Sequence, residues 1–217
     1  MADGPVIGVI CAIPQELMEL RAALERDVRH EIGGFGFDQG RLDGRRVILA
    51  EAGIGKVNTA TVATILALRF EAGALIFKGV AGGLDPDLAI GDVVVAERAV
   101  QHDCGVIESE RLQPYQAGHV PFFNPTRQLG YDVEPALLER VRTRLAGITL
   151  TPLSAAAGGS GRMPKLAYGT ILAGDQFINC EATRVRLHRE FEGRAVAMEG
   201  AALAQVAERL GLPWLEI

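Results

Sequence analysis

The sequence predicts an α/β protein: a single domain with a central, mostly parallel mixed sheet flanked by helices. Three observations carry this. Several segments are apolar without alternation, as strands covered on both faces are, notably Val6-Ile7-Gly8-Val9-Ile10-Cys11-Ala12-Ile13 and Ala74-Leu75-Ile76-Phe77-Lys78-Gly79-Val80. Helical repeats fall between such runs. Glycine, 26 of 217 residues, exceeds the usual roughly 7% and gathers where the strands end.

The elements follow in order. After the first strand, Pro14 suits a first helical turn, and Ile13, Leu17, Leu20 and Leu24 repeat as one face of a helix. Residues 31–50 read as two short strands, Gly33 to Phe37 and Arg46 to Ala50, around the turn Asp43-Gly44. Gly53-Ile54-Gly55 closes the second, and a helix runs from about Lys56 to Phe70. The strand 74–80 exits through Ala81-Gly82-Gly83-Leu84, and 91–96 is a further strand. Residues 101–133 are irregular, with Pro114, Pro121 and Pro125. Leu137, Leu138, Val141 and Leu145 mark a helix, and Ala155 to Arg162 reads as a flexible surface loop. Tyr168 to Ala173 is a strand, followed by a helix through Phe191. Ala195 to Met198 is a strand, Glu199 opens a helix to about Leu210, and Pro213 begins a last strand. With no linker and no repeat, residues 1–217 read as one domain.

Composition excludes several classes. At 48% hydrophobic the chain can bury a core, and a net charge of −5 argues against a nucleic-acid partner. No apolar run approaches the roughly 20 residues that span a bilayer. The start, Met1-Ala2-Asp3-Gly4-Pro5, lacks the basic region of a signal peptide. Cys11, Cys104 and Cys180 have no zinc or disulfide spacing, which points to a reducing cytoplasm. No metal site is expected.

Ligands of open α/β sheets bind beyond the carboxyl ends of the strands. That rule selects Glu16, Gly53 and Gly55, Val80 to Gly83, Asp175, Phe177 and Ile178, and Met198 with Glu199. Each has a plainer alternative. Glu16 and Glu199 could be stabilising carboxylates at helix N-termini. Gly82-Gly83 could be a tight strand exit, Phe177 could be core, and His102-Asp103 a structural pair.

Six segments, in order, resemble the nucleoside phosphorylase/nucleosidase family. They are 7–16, 51–58, 79–84 with 91–94, His102-Asp103, 174–178 and 197–202. The likeness is to the branch that hydrolyses the N-glycosidic bond of 5′-modified adenosines such as methylthioadenosine or S-adenosylhomocysteine. It implies that Glu16 activates water, Glu199 holds the ribose hydroxyls and Met198 packs on the sugar. It further implies that Phe177 stacks on the purine, the Ile178 backbone reads the base edge, and Ala81 and Gly82 line the sugar–base junction beside Val80. No cofactor is implied. The expected partner is a small purine nucleoside, with no nucleic acid and no membrane, and the resemblance implies a homodimer or higher homo-oligomer. Pro121-Phe122-Phe123 is the expected subunit contact.

Three departures temper the resemblance. The family's general-acid Asp lies beyond the strand that begins at Pro213, so the sequence reads as cut short at its C-terminus. Val80 stands where the nucleosidases carry Ser, and Ala197 where they often carry Glu. Alternatives are therefore a phosphate-dependent phosphorylase or an inactive nucleoside-binding homologue. An apolar pair, Phe77 and Val80, occupies the places of the phosphorylases' phosphate-binding residues, which favours water.

Overall fold

The computed structural model describes residues 4–217. The leader reading rests partly on Met1 to Asp3, which lie outside the described residues. In chain order the elements are β1 (Val6–Cys11), α1 (Pro14–Ala23), β2 (Glu25–Ile32), β3 (Phe35–Leu42), β4 (Arg45–Glu51), α2 (Lys56–Arg69), β5 (Ala72–Phe77), β6 (Gly82–Gly83) and β7 (Val93–Gln101). Then come β8 (Gly105–Glu108), β9 (Arg111–Pro114), β10 (Tyr131–Asp132), α3 (Pro135–Leu145), β11 (Leu166–Ala173), α4 (Glu181–Phe191), β12 (Gly193–Ala197), α5 (Gly200–Leu210) and β13 (Trp214–Glu216). The fold is α/β, as expected, but its strands form a six-stranded sheet, a five-stranded sheet and a two-stranded hairpin rather than one central sheet. Its residues gather into two compact units, one reaching Val80 and resuming over Met198–Glu216, the other spanning Ala81–Ala197.

The first unit holds a six-stranded sheet in the order β13-β5-β1-β4-β3-β2. β13, β5, β1 and β4 run parallel; β3 and β2 are antiparallel. The parallel block explains the unbroken apolarity of β1. Val9 and Cys11 pack with Leu17 and Leu24 on one face. On the other, a methyl added to Gly8 would sit 3.0 Å from both Leu66 of α2 and Leu75 of β5. Only glycine lets α2 approach this closely, and α5 packs beside α2.

β2 departs from the expectation. Its Glu-Arg-Asp-Val-Arg-His-Glu-Ile sequence has no apolar alternation to mark a strand, and Gly33-Gly34, expected in a strand, is the turn into β3. Charge suits an edge strand, which must discourage pairing with other chains. Arg26 and Arg29 of β2, with Arg21 of α1, reach the buried Asp38 on β3. The turn at Asp43-Gly44 stands where expected, with φ of 47° and 73°.

The second unit holds a five-stranded sheet in the order β10-β7-β11-β12-β6 and the hairpin β8-β9. β7, β11 and β12 are parallel. Leu84, Val100, Leu172, Leu187 and Val196 form its apolar centre. The hairpin replaces part of the irregular stretch expected over 101–133; its turn uses Ser109 and Glu110 with φ of 50° and 63°. Residues 155–161 are exposed except for the half-buried Gly159, and they contain one short 3₁₀ turn over Ala155–Ala157. No helix among the described residues is long and apolar enough to cross a membrane.

Candidate active site

In the first unit, the carboxyl ends of four parallel strands bring the acidic candidates to one sheet edge. Ile10 pairs with Phe77, Cys11 with Glu51, and Glu216 with Phe77. The segments leaving β1, β5 and β4 therefore start side by side.

Glu16 is the third residue of α1 and is 7% exposed. Oε2 accepts from the backbone N–H groups of Ala12 at 2.8 Å and Ile13 at 3.2 Å. Oε1 accepts from the Val80 N–H at 2.8 Å. The helix-capping role is thus real, yet the Val80 bond takes this carboxylate beyond its own helix to the exit of β5. A carboxylate offers about four acceptor sites; three are filled by main-chain donors, which fixes its orientation and leaves one for a ligand or water. Gly79 permits the approach, since a methyl there would sit 3.0 Å from Oε1. Lys78 Nζ donates to the Glu16 carbonyl oxygen at 2.6 Å.

Glu199, 5% exposed, immediately precedes α5. Its side chain makes no capping hydrogen bond to the first turn of that helix, although its charge still lies at the helix N-terminus, where the dipole favours it. Oε1 accepts from the Gly55 N–H at 2.9 Å, at the exit of β4, and Oε2 accepts from the Met198 N–H at 2.9 Å. Gly53 and Gly55 shape this exit, with φ of 77° and 102° that favour glycine. Met198 is half-buried and the Val80 side chain is exposed.

One carboxyl at this edge escaped the sequence reading. Glu216 ends β13 and is only 2% exposed. Burial, and then the charge of Glu199, pushes it up to about 8. A lone Glu in the apolar stretch Trp-Leu-Glu-Ile was its only signal. Cys11, at the end of β1, is no nucleophile, because burial pushes its thiol up to about 12.

In the second unit, Phe177 is 85% exposed, which overturns the core alternative. Ile178 packs its side chain on the apolar centre. The Asp175 N–H donates to Asp103 Oδ2 at 2.8 Å, and a methyl on Gly174 would overlap His102. His102-Asp103 therefore supports the 174–175 turn, as its structural alternative held. Ala81 is exposed, and Gly82 and Gly83 form the exposed edge strand β6 against β12. Neither glycine has positive φ. An added methyl would meet nothing closer than 3.4 Å at Gly82 and nothing within 4 Å at Gly83. Turn geometry and packing do not require glycine here, which removes the strand-exit alternative.

Comparison with known proteins gives the class: residues 6–217 match the Phosphorylase superfamily, and the chain belongs to it. It is 57% identical over 211 residues to the 5′-methylthioadenosine/S-adenosylhomocysteine nucleosidase of Mycobacterium tuberculosis, covering 97% of this chain and 83% of that protein. The nucleosidase of the same name from Marinomonas sp. is 35% identical, with 98% and 83% covered. The crystal structure of S-adenosylhomocysteine nucleosidase from Streptococcus pyogenes in complex with 5-methylthiotubericidin superposes with a TM-score of 0.80 at 30% identity, covering 100% of this chain and 82% of that one.

Proposed function

We propose that the protein hydrolyses the N-glycosidic bond of 5′-modified adenosines such as methylthioadenosine or S-adenosylhomocysteine and releases adenine. The observation that carries this is the pair Glu16 and Glu199, both fixed by main-chain N–H groups at one edge of one parallel block. The similarity to nucleosidases across nearly the whole chain supports the same reading.

As the C1′–N bond breaks, its electron pair goes to the purine and positive charge builds on the ribose. Glu199, holding the ribose hydroxyls, stabilises that charge. Water adds to C1′ and Glu16 takes its proton; solvent water supplies the proton that the departing purine takes up. Met198 packs on the sugar beside Val80. Phe177, already exposed, stacks on the base, and the Ile178 backbone reads its edge while its side chain stays anchored. Ala81 and Gly82 line the sugar–base junction. Residues 1–217 work as one functional domain, a reading that the family match over 6–217 supports.

Water rather than phosphate is the nucleophile. Phosphate favours cationic donors; Lys78 is the one basic residue of 72–84, and its Nζ lies at the Glu16 carbonyl oxygen. Phe77 is buried and Val80 is apolar. The free thiols Cys11, Cys104 and Cys180 fit a reducing cytoplasm. Phe122 and Phe123, 85% and 82% exposed, suit the contact of a homo-oligomer.

Full-length protein incubated with methylthioadenosine, with and without phosphate, tests the assignment. Adenine release without phosphate is expected, and Glu199→Ala should lower kcat at least about a hundredfold. Strict phosphate dependence would point to a phosphorylase. Saturable binding without turnover would point to a nucleoside-binding protein.

A further inference from the structure

We propose that Glu216 is a positioning residue for this reaction: a neutral carboxylic acid, set against Gly200, that keeps the charge of a carboxyl pair on Glu199. The inference rests on the role given to Glu199 above.

Glu216 reaches from the end of β13 to the start of α5. A methyl on Gly200 would overlap its carboxyl group, so glycine directly after Glu199 makes room for a second acid. Glu216 Oε2 is sealed from solvent and has no hydrogen-bond partner among the described residues. The neighbouring elements offer Glu216 no counter-charge. β5, paired with β13, contains no titratable side chain. Lys78, past its end, holds its charge at the Glu16 carbonyl and is not among the groups that act on Glu216. Glu208 and Arg209 lie in the last turn of α5, while Gly200 opens its first. Glu199 is the charged group that acts on Glu216.

Two carboxyls sharing a buried site cannot both ionise cheaply, and the proton goes to the one with fewer donors to its charged form. Glu199 accepts two main-chain N–H bonds. Glu216 Oε2 accepts none, so Glu216 holds the proton. Neutral, it lets Glu199 present a full charge to the ribose without a second charge behind it. Once ionised, it repels Glu199 and spoils that placement. The carboxyl titrates at about 8, so this loss belongs to the alkaline side of the activity profile.

The test uses the full-length protein and its Glu216→Gln variant, the isostere of the protonated acid. Infrared spectroscopy near pH 7 should show a protonated-carboxyl band that disappears on alkalinisation and is missing from the variant. The wild-type kcat/KM for methylthioadenosine should be about tenfold lower near pH 9 than near pH 7, while the variant changes by less than about twofold. An identical alkaline fall in both proteins overturns the proposal. So does the absence of the band from the wild type, a readout that does not depend on the variant folding. If the band titrates but no adenine is released at any pH, the nucleosidase reading falls and the positioning role with it, while the neutral acid itself stands.

Discussion

Three buried carboxyls at one sheet edge have three different surroundings. Glu16 receives three main-chain N–H bonds on two oxygens. A glutamine there can satisfy only one side and turns an amide N–H toward a donor on the other. Glu16→Gln should therefore lower kcat by about a hundredfold or more and cost about 1–2 kcal/mol of stability; steady-state kinetics and urea unfolding check the two effects. Gly200 tests the same edge from the packing side. Gly200→Ala forces the Glu216 carboxyl from its place, with an expected loss of about 1–3 kcal/mol. A shift in the urea midpoint reports it, and an unchanged midpoint would show that the buried acid has room to move.

The acid on β13 also makes the stability of the first unit depend on pH. Its carboxyl is raised from 4.5 to about 8. The folded state therefore binds this proton more tightly than the unfolded chain does. The resulting stabilisation is complete below about pH 4.5 and is lost as pH rises through about 8. It amounts to a few kcal/mol at most. Compared with Glu216→Gln, the wild type should lose stability between pH 5 and pH 9, measured by urea unfolding at each pH. Parallel stability curves for the two proteins would contradict this.

At the scale of elements, legibility followed chemistry. β1, β5, α2 and α5 were legible because burial on both faces or one stripe writes itself as apolarity. β2 was not, because an edge strand carries charge by design against pairing. The β8-β9 turn was missed because Ser109-Glu110 does not look like the Asn-Gly or Asp-Gly that favours positive φ, whereas Asp43-Gly44 does. In the site, Glu16 and Glu199 were found by their place after strands. Which donors hold them was hidden, since Val80 and Gly55 act through backbone N–H groups that any residue supplies. Glu216 was passed over because one Glu in an apolar strand looks like a solvent-facing alternate; only the packing of Gly200 against it reveals the burial.

At the scale of the whole molecule, the proposed chemistry draws on segments 7–16, 51–58 and 197–202, which are distant in sequence. The central claim is that water, activated by Glu16, replaces the purine at the sugar carbon while Glu199 holds the sugar. The most direct measurement is the fate of the attacking oxygen. With methylthioadenosine as substrate in heavy-oxygen-labelled water, with phosphate also present, mass spectrometry of the sugar product should find the label in the free sugar and no sugar phosphate. A sugar phosphate, or an unlabelled sugar under conditions where exchange with the solvent is excluded, would contradict the account.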